Sequence, residues 1–166
     1  MAEPASNPIH ILMRFSDALG RTEDTIAAHK EIISRHGAVW IGKLGKTLAW
    51  RHIGRINEQC ARGVPSFLYL VQRKKRQYEA HRGSVVAVAR GFPAKEQRLV
   101  PAYYEKRGMT RYMSLWLKLS AIVPVEQAEF RNLRIASTWM PVSQTLPHSM
   151  AALFIVRQRE GTGPGG

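Results

Sequence analysis

Cysteine and aspartate are both scarce in this chain, and each scarcity removes a class of function. The single cysteine, Cys60, cannot build an internal disulfide framework, so an ordinary apolar core must hold the fold and a reducing compartment is expected. The only two aspartates are Asp17 and Asp24. Both precede "GKLGKT", Gly42 to Thr47, a stretch that follows an apolar run and precedes a helical pattern, where a nucleotide-binding loop would be placed. Such a loop needs a glycine five residues ahead of its Gly-Lys-Thr, so that backbone amides can wrap the phosphates. That position is Trp40. With no later apolar strand ending in an acid, a triphosphate site is excluded.

Other absences narrow the field further. No run of 18 apolar residues occurs, so no membrane span is expected. The start, "MAEPASNPIH", has neither the basic stretch nor the apolar stretch of a secretion signal, and the expected location is the cytoplasm. The six histidines, His10, His29, His36, His52, His81 and His148, are scattered without a Cys/His spacing, so neither a metal nor a cofactor is expected. His29 and His36 can share a helix face, which reads as surface. The acids fall mostly on helix surfaces and links, so no paired-carboxylate or Ser/His/Asp arrangement is assigned and no catalytic residue is named.

Positive charge is what the chain has in excess. Its 25 Lys plus Arg against 12 Asp plus Glu leave a net +13. Such an imbalance repels itself unless an anionic partner compensates it, and nucleic acid or an anionic membrane surface is the partner it favours. The 166 residues, 45% of them apolar, suit one domain with a real core.

Periodicity places that domain at residues 9 to 158, between a polar, flexible start (1 to 8) and a glycine-rich tail (159 to 166) that ends in "EGTGPGG". "HILMRFSD" reads as a strand ending at Ser16 and Asp17. A helix follows over "TEDTIAAHKEIISRHG", with Thr22 or Asp24 as its cap and Gly37 as its stop. "AVWIGK" is a second strand. Trp50, Ile53, Ile56 and Cys60 mark one face of a second helix closed by Gly63, with Arg51, Arg55 and Arg62 mostly elsewhere. "SFLYLVQR" and "SVVAVARG" are strands, the second beginning early, near Tyr78. Residues 91 to 110 form a long connection with one helical turn in "PAYYEKRG"; "RYMSLWLKLSAIV" and "ALFIVRQR" complete the strands. The order predicts an α+β domain around a small curved mixed sheet or barrel flanked by helices.

Aromatic residues recur beside cations: Trp40 near Lys43 and Lys46, Trp50 beside Arg51, Tyr69 near Arg73, Trp116 near Lys118. Base faces stack on aromatics and phosphates sit on lysine and arginine, so this interleaving suits an extruded or single-stranded base; ordinary core packing is the competing reading. Alternation along "RYMSLWLKL" puts Met113, Leu115, Leu117 and Leu119 on a core face. Tyr112, Ser114, Trp116 and Lys118 share the other, which reads equally as a pocket wall or as a solvent-facing edge.

A strand ending at Ser16, a helix, "VWIGK", a basic second helix, "FLYLV" and a strand from about Tyr78 together resemble the PUA-like superfamily, in its EVE, YTH and ASCH branch. The resemblance spans most of residues 9 to 157. It implies a curved sheet or barrel that reads nucleic acid through a concave pocket, in the EVE and YTH branches an aromatic cage for a modified base flipped from its strand. Carried over by position, Ser16 and Trp40 belong at that pocket, with Trp50 and Tyr69 as further candidates. The fuller tryptophan pattern of YTH proteins after the sheet is missing, although Trp139 in "STWMPVSQTLP" could close the pocket.

The expected function is therefore nucleic-acid binding, DNA or RNA, at a base pocket of Ser16, Trp40, Trp50, Tyr69, Trp116 and Trp139. The base is a modified, methylated one, and the module targets a larger system with a separate effector protein. Lys43 and Lys46 of the "GKLGKT" loop, Arg51 and Arg55 of the second helix, and Arg73, Lys74, Lys75 and Arg76 of the "QRKKRQ" link would hold phosphates. Two rivals remain: a small RNA-cleaving enzyme or toxin using His81 or His52 with lysines, and a protein-interaction domain whose charge steers an acidic partner.

Overall fold

The computed structural model describes residues 7–17 and 24–159. Residues 1 to 6, the candidate cap Thr22 and the tail from 160 lie outside the described residues. Strand β1 (His10–Arg14) is buried along nearly its whole length, as a near-continuous apolar run in the middle of a sheet should be. Helix α1 (Thr25–His36) starts at Asp24, whose carboxylate accepts the Ala27 N–H at 3.0 Å, and stops at Gly37 in the left-handed conformation, φ 84°. Strand β2 (Val39–Leu44) turns at Gly45, φ 80°, into helix α2 (Trp50–Ala61). There Ile53 and Ile56 are buried and Cys60 packs against the same core. The amide of Gln59 closes that side, holding the Ile9 N–H and carbonyl at 2.9 Å each and the Ser66 hydroxyl at 2.9 Å.

Strands β3 (Phe67–Lys74) and β4 (Gln77–Ala89) form a hairpin, the second starting as early as the tyrosine at 78 implied. A 3-10 turn (Ala94–Leu99), helix α3 (Ala102–Lys106) and a 3-10 turn (Thr110–Tyr112) lead to β5 (Met113–Pro124). Helix α4 (Gln127–Arg131), strand β6 (Leu133–Ile135), helix α5 (Val142–Thr145) and strand β7 (Leu153–Gln158) complete the chain. The sequence pattern does not show α4, β6 or α5, because elements of three to five residues are too short to display a period.

Among the described residues seven strands form one mixed sheet in the order β2-β5-β4-β3-β1-β7-β6, with β1 and β3 parallel and every other pair antiparallel. Among the described residues no ladder joins β2 to β6, so of the two expected forms the open sheet is the one found. One core lies under α1 and α2, built on Ile11, Ile41, Leu68, Leu70, Leu115, Leu117 and Leu119. A second, around Leu12, Tyr69, Val71, Phe130 and Leu133, occupies the other face.

The expected division of β5 into a core face and a polar face needs one correction. Leu115, Leu117 and Leu119 do point into the first core, but Trp116 is fully buried in a third cluster with Trp40, Leu99, Val100, Tyr104 and Met113. The register between β2 and β5 slips at Lys43/Leu44, pairing Lys43 with Leu115 and Leu44 with Met113, which skips Ser114 and turns Met113 to the side of Trp116. Tyr112 stays in the preceding turn and is exposed. Gly42 makes this packing possible: a Cβ there would collide with Met113 Sδ and lie 3.0 Å from the Trp116 ring.

Candidate nucleic-acid interface

Strands β1 and β2 are four places apart in the sheet, yet residues of both line one cavity, so the sheet curls until its β2 edge faces its middle. The space, about 390 Å³, is bounded by Met13 to Asp17 at and just beyond the end of β1, Thr25 at the start of α1, Ile41 to Leu44 on β2, and Tyr103, Tyr104, Arg107, Met109 and Met113. That volume lies within the range of about 300–1,000 Å³ typical of small-ligand sites.

Its walls are aromatic and thioether, and its rim is charged. The Tyr103 and Tyr104 rings meet edge to face at 4.6 Å. Tyr104 is anchored from behind, since its hydroxyl lies 2.7 Å from His29 Nε2. His29 Nδ1 is 2.7 Å from the Thr25 carbonyl, which can only accept, so Nδ1 carries the proton and Nε2 takes the one from Tyr104. Burial holds the His29 pKa down at about 4 and pushes the Tyr104 phenol well above its ordinary value.

Arg14 donates to the carbonyls of Ser149 at 2.7 Å and Leu146 at 3.3 Å. Partial burial pushes the Asp17 carboxyl up, but hydrogen bonds from the Thr25 side chain, the Thr25 N–H and Gln72, with the Lys74 charge, outweigh it and hold the group below the usual carboxylate range. Lys43 bends over to the Leu44 carbonyl, and its partial burial lowers its pKa. The cavity thus combines flat apolar walls, an acceptor at Asp17 and cations at its mouth, a combination suited to a planar heteroaromatic group carried on an anionic backbone.

Of the residues singled out in the sequence, Ser16 and Lys43 line this cavity. Trp40 and Trp116 stand one layer behind, 6% and 0% exposed. The Trp40 indole donates to Glu96 at 3.3 Å, and Lys118 bridges to the same carboxylate at 2.9 Å. Tyr69 is fully buried on the far face of the sheet, its hydroxyl donating to Glu129 at 2.9 Å and accepting from Gln158 at 2.8 Å. Trp50 and Trp139 are exposed and line no part of the cavity.

The candidate phosphate contacts are spread over several places. Lys46 and Arg51 are exposed around the start of α2, and Arg55 is half-buried one turn along. Arg73, Lys74, Lys75 and Arg76 are exposed at the β3–β4 tip, where Lys75 and Arg76 take φ of 46° and 70°. A two-residue turn of that kind normally recruits asparagine and glycine, so here two long cations occupy a conformation unfavourable to both.

What the sequence reading missed is the aromatic wall itself: Phe15, Tyr103 and Tyr104, with Arg14 and Arg107 beside them. Adjacent tyrosines next to cations inside a long connection, "PAYYEKRGM", were the available signal, since long ordered connections commonly carry function.

Among the described residues no group of three or more His, Cys, Asp or Glu could hold a metal ion, and no helix is long and apolar enough to cross a membrane. A family model described as Pua-like matches residues 11–154. No curated protein and no solved structure matches the chain significantly.

Proposed function

The chain belongs to the PUA-like family, and from that premise we propose that it binds nucleic acid and receives one base, a modified one, in the cavity between β1, β2 and α3. Membership points to nucleic-acid binding at the level of the family, and to binding rather than catalysis as the general role. The observation that carries the finer reading is the pairing of Tyr103 and Phe15 walls with Asp17 and Lys43 in one open space of base-accommodating size. A flipped base would enter between the aromatic walls, with its exocyclic donors facing Asp17. Lys43 and Arg107 would meet the flanking phosphates. An added methyl group lowers polarity, and Met13, Met109 and Met113 supply an adaptable apolar surface for it. Recognition without chemistry is what a targeting module needs, with any effector supplied by a separate protein.

The test is binding of short oligonucleotides, single- and double-stranded, DNA and RNA, with and without base methylation, at two salt concentrations. The reading requires intact strands, affinity that falls with salt, and preference for one modified base. Cleavage that disappears in His81→Ala would replace it with the nuclease reading; equal affinity for modified and unmodified strands would remove the modified base.

A further inference from the structure

We propose that Trp50, outside the cavity, is a separate stacking platform for an unpaired base of single-stranded nucleic acid, engaged by the same strand that reaches the cavity; this rests on the nucleic-acid reading above. Tryptophan is ordinarily well buried, and Trp40 and Trp116 obey that rule. Trp50 is 63% exposed on the first residue of α2. Its ring is nevertheless held on one face. The Arg90 guanidinium lies 4.1 Å from the ring centroid, and Arg90 itself donates to the Leu48 carbonyl two residues before Trp50.

The two elements that meet here are also latched. Asn57 of α2 exchanges both hydrogen bonds with the Val88 backbone of β4, at 3.0 and 2.9 Å, just ahead of Arg90. An exposed aromatic held still in this way has already lost the freedom that binding would otherwise cost it. The space beside it is open as well. Gly54, one turn on, has no side chain, and a Cβ built there would meet nothing within 4 Å. A mid-helix glycine costs about 1 kcal/mol relative to alanine, and no neighbour requires it.

The surroundings select the partner. Lys46, four residues before Trp50, and Arg51, directly after it, are exposed, Arg55 follows one turn later, and Phe92 is partly exposed two residues after Arg90. Aromatic surface framed by charge of one sign matches a strand that offers base faces and phosphates together. The reach is adequate. Leu44 lines the cavity and Trp50 is six residues further on, so the two are at most about 22 Å apart. A stacked strand, advancing about 3.4 Å per phosphate, covers that in roughly six nucleotides.

The experiment measures anisotropy of dye-labelled twelve-nucleotide single strands, DNA and RNA, against a trinucleotide, at low salt. Trp50→Ala is expected to weaken the twelve-nucleotide probe about tenfold or more, to leave the trinucleotide unchanged and to keep the melting temperature, with Trp50→Phe restoring most of the loss. Gly54→Leu gives a second route, because a helical leucine lies back over the preceding turn and would cover the ring while strengthening the helix. It should weaken the long probe alike. Normal long-probe affinity in either folded variant overturns the platform and leaves nucleic-acid binding standing. A wild-type protein that binds neither strand at low salt overturns both.

Discussion

The cluster around Tyr69 and the cavity around Tyr103 are assembled from the same residue types, an aromatic ring, an arginine and a carboxylate, on different parts of the sheet. At Tyr69 the groups satisfy one another: Arg82 pairs with Glu129 at 2.6 Å, Glu129 accepts from Tyr69, Gln158 donates to Tyr69, and Arg82 covers the Phe67 ring at 4.8 Å. Tyr69 is fully buried and its hydroxyl has both a donor and an acceptor partner. Around the cavity Arg14 and Lys43 are tied to backbone instead, to Ser149 and Leu44, while Asp17 accepts from Thr25 and Gln72. Backbone ties orient a side chain without placing another side chain in front of it, so the space between stays empty. Composition alone does not separate a site from a core; the kind of partner each polar group takes does.

Each region also hides one neutral histidine, and acid should break both. His29 stands behind Tyr104. His10 lies against Phe67 at 5.2 Å and Tyr69 at 6.1 Å, and its Nδ1 accepts the Phe67 N–H. Burial lowers both pKa values to about 4, helped at His10 by the Arg157 and Arg82 charges. In the unfolded chain these rings titrate near 6.5. As pH falls the unfolded state is therefore protonated first, so the contribution is complete above pH 6.5 and is lost on the way down to 4. At about 1.4 kcal/mol per pH unit for each group, the loss approaches about 3 kcal/mol per histidine. Denaturant unfolding across that range should show the decline, and His29→Gln should make it shallower by the share of one group. A flat profile would mean that the rings are not held neutral.

The next effect separates the regions. Glu129→Ala leaves Arg82 without its partner in a largely buried place, and should cost about 3–5 kcal/mol of stability. Oligonucleotide affinity of the folded fraction should not change. Lost binding at unchanged stability would make the Tyr69 side part of the interface, as its residue types alone suggest. Tyr103→Ala tests the opposite side: about tenfold or more in affinity, with most of the melting temperature kept. Should Tyr103→Ala unfold the protein and bind normally when folded, the cavity is merely an unfilled part of the core.

The same contrast explains what the sequence could reveal. The long strands and both twelve-residue helices were legible because their periods run for several repeats, and the caps Asp24 and Gly37 have local chemistry. Ser16 and Lys43, which line the cavity, sit at the ends of such elements. Trp40, Trp116 and Tyr69 satisfy every rule for a stacking residue, aromatic and next to a cation, but what buries them arrives from distant segments. Leu99, Val100 and Tyr104 cover the first two, while Glu129 and Gln158 engage the third. The Phe15 and Tyr103 wall depends likewise on the curl of the sheet, a property of seven paired strands that no window of sequence displays.

The smallest effect concerns single charges. In the Tyr69 region one lost charge strands another, because the two were buried as a pair. Among the described residues Lys43 has only a carbonyl for a partner, and burial already works against its ammonium. Lys43→Met keeps the length of the stem and leaves no opposite charge uncompensated, so stability should stay within about 0.5 kcal/mol. If Lys43 meets a phosphate of the bound strand, the log-log salt dependence should flatten by about 0.7, the share of one contact on a single strand. Between 50 and 200 mM salt that amounts to about a threefold change in relative affinity. The loss should fall equally on modified and unmodified strands, because a phosphate carries no base identity. A loss confined to the modified strand would place the ammonium on the base itself, and an unchanged slope would leave Lys43 as a wall of the cavity and the phosphate contacts to the remaining cations.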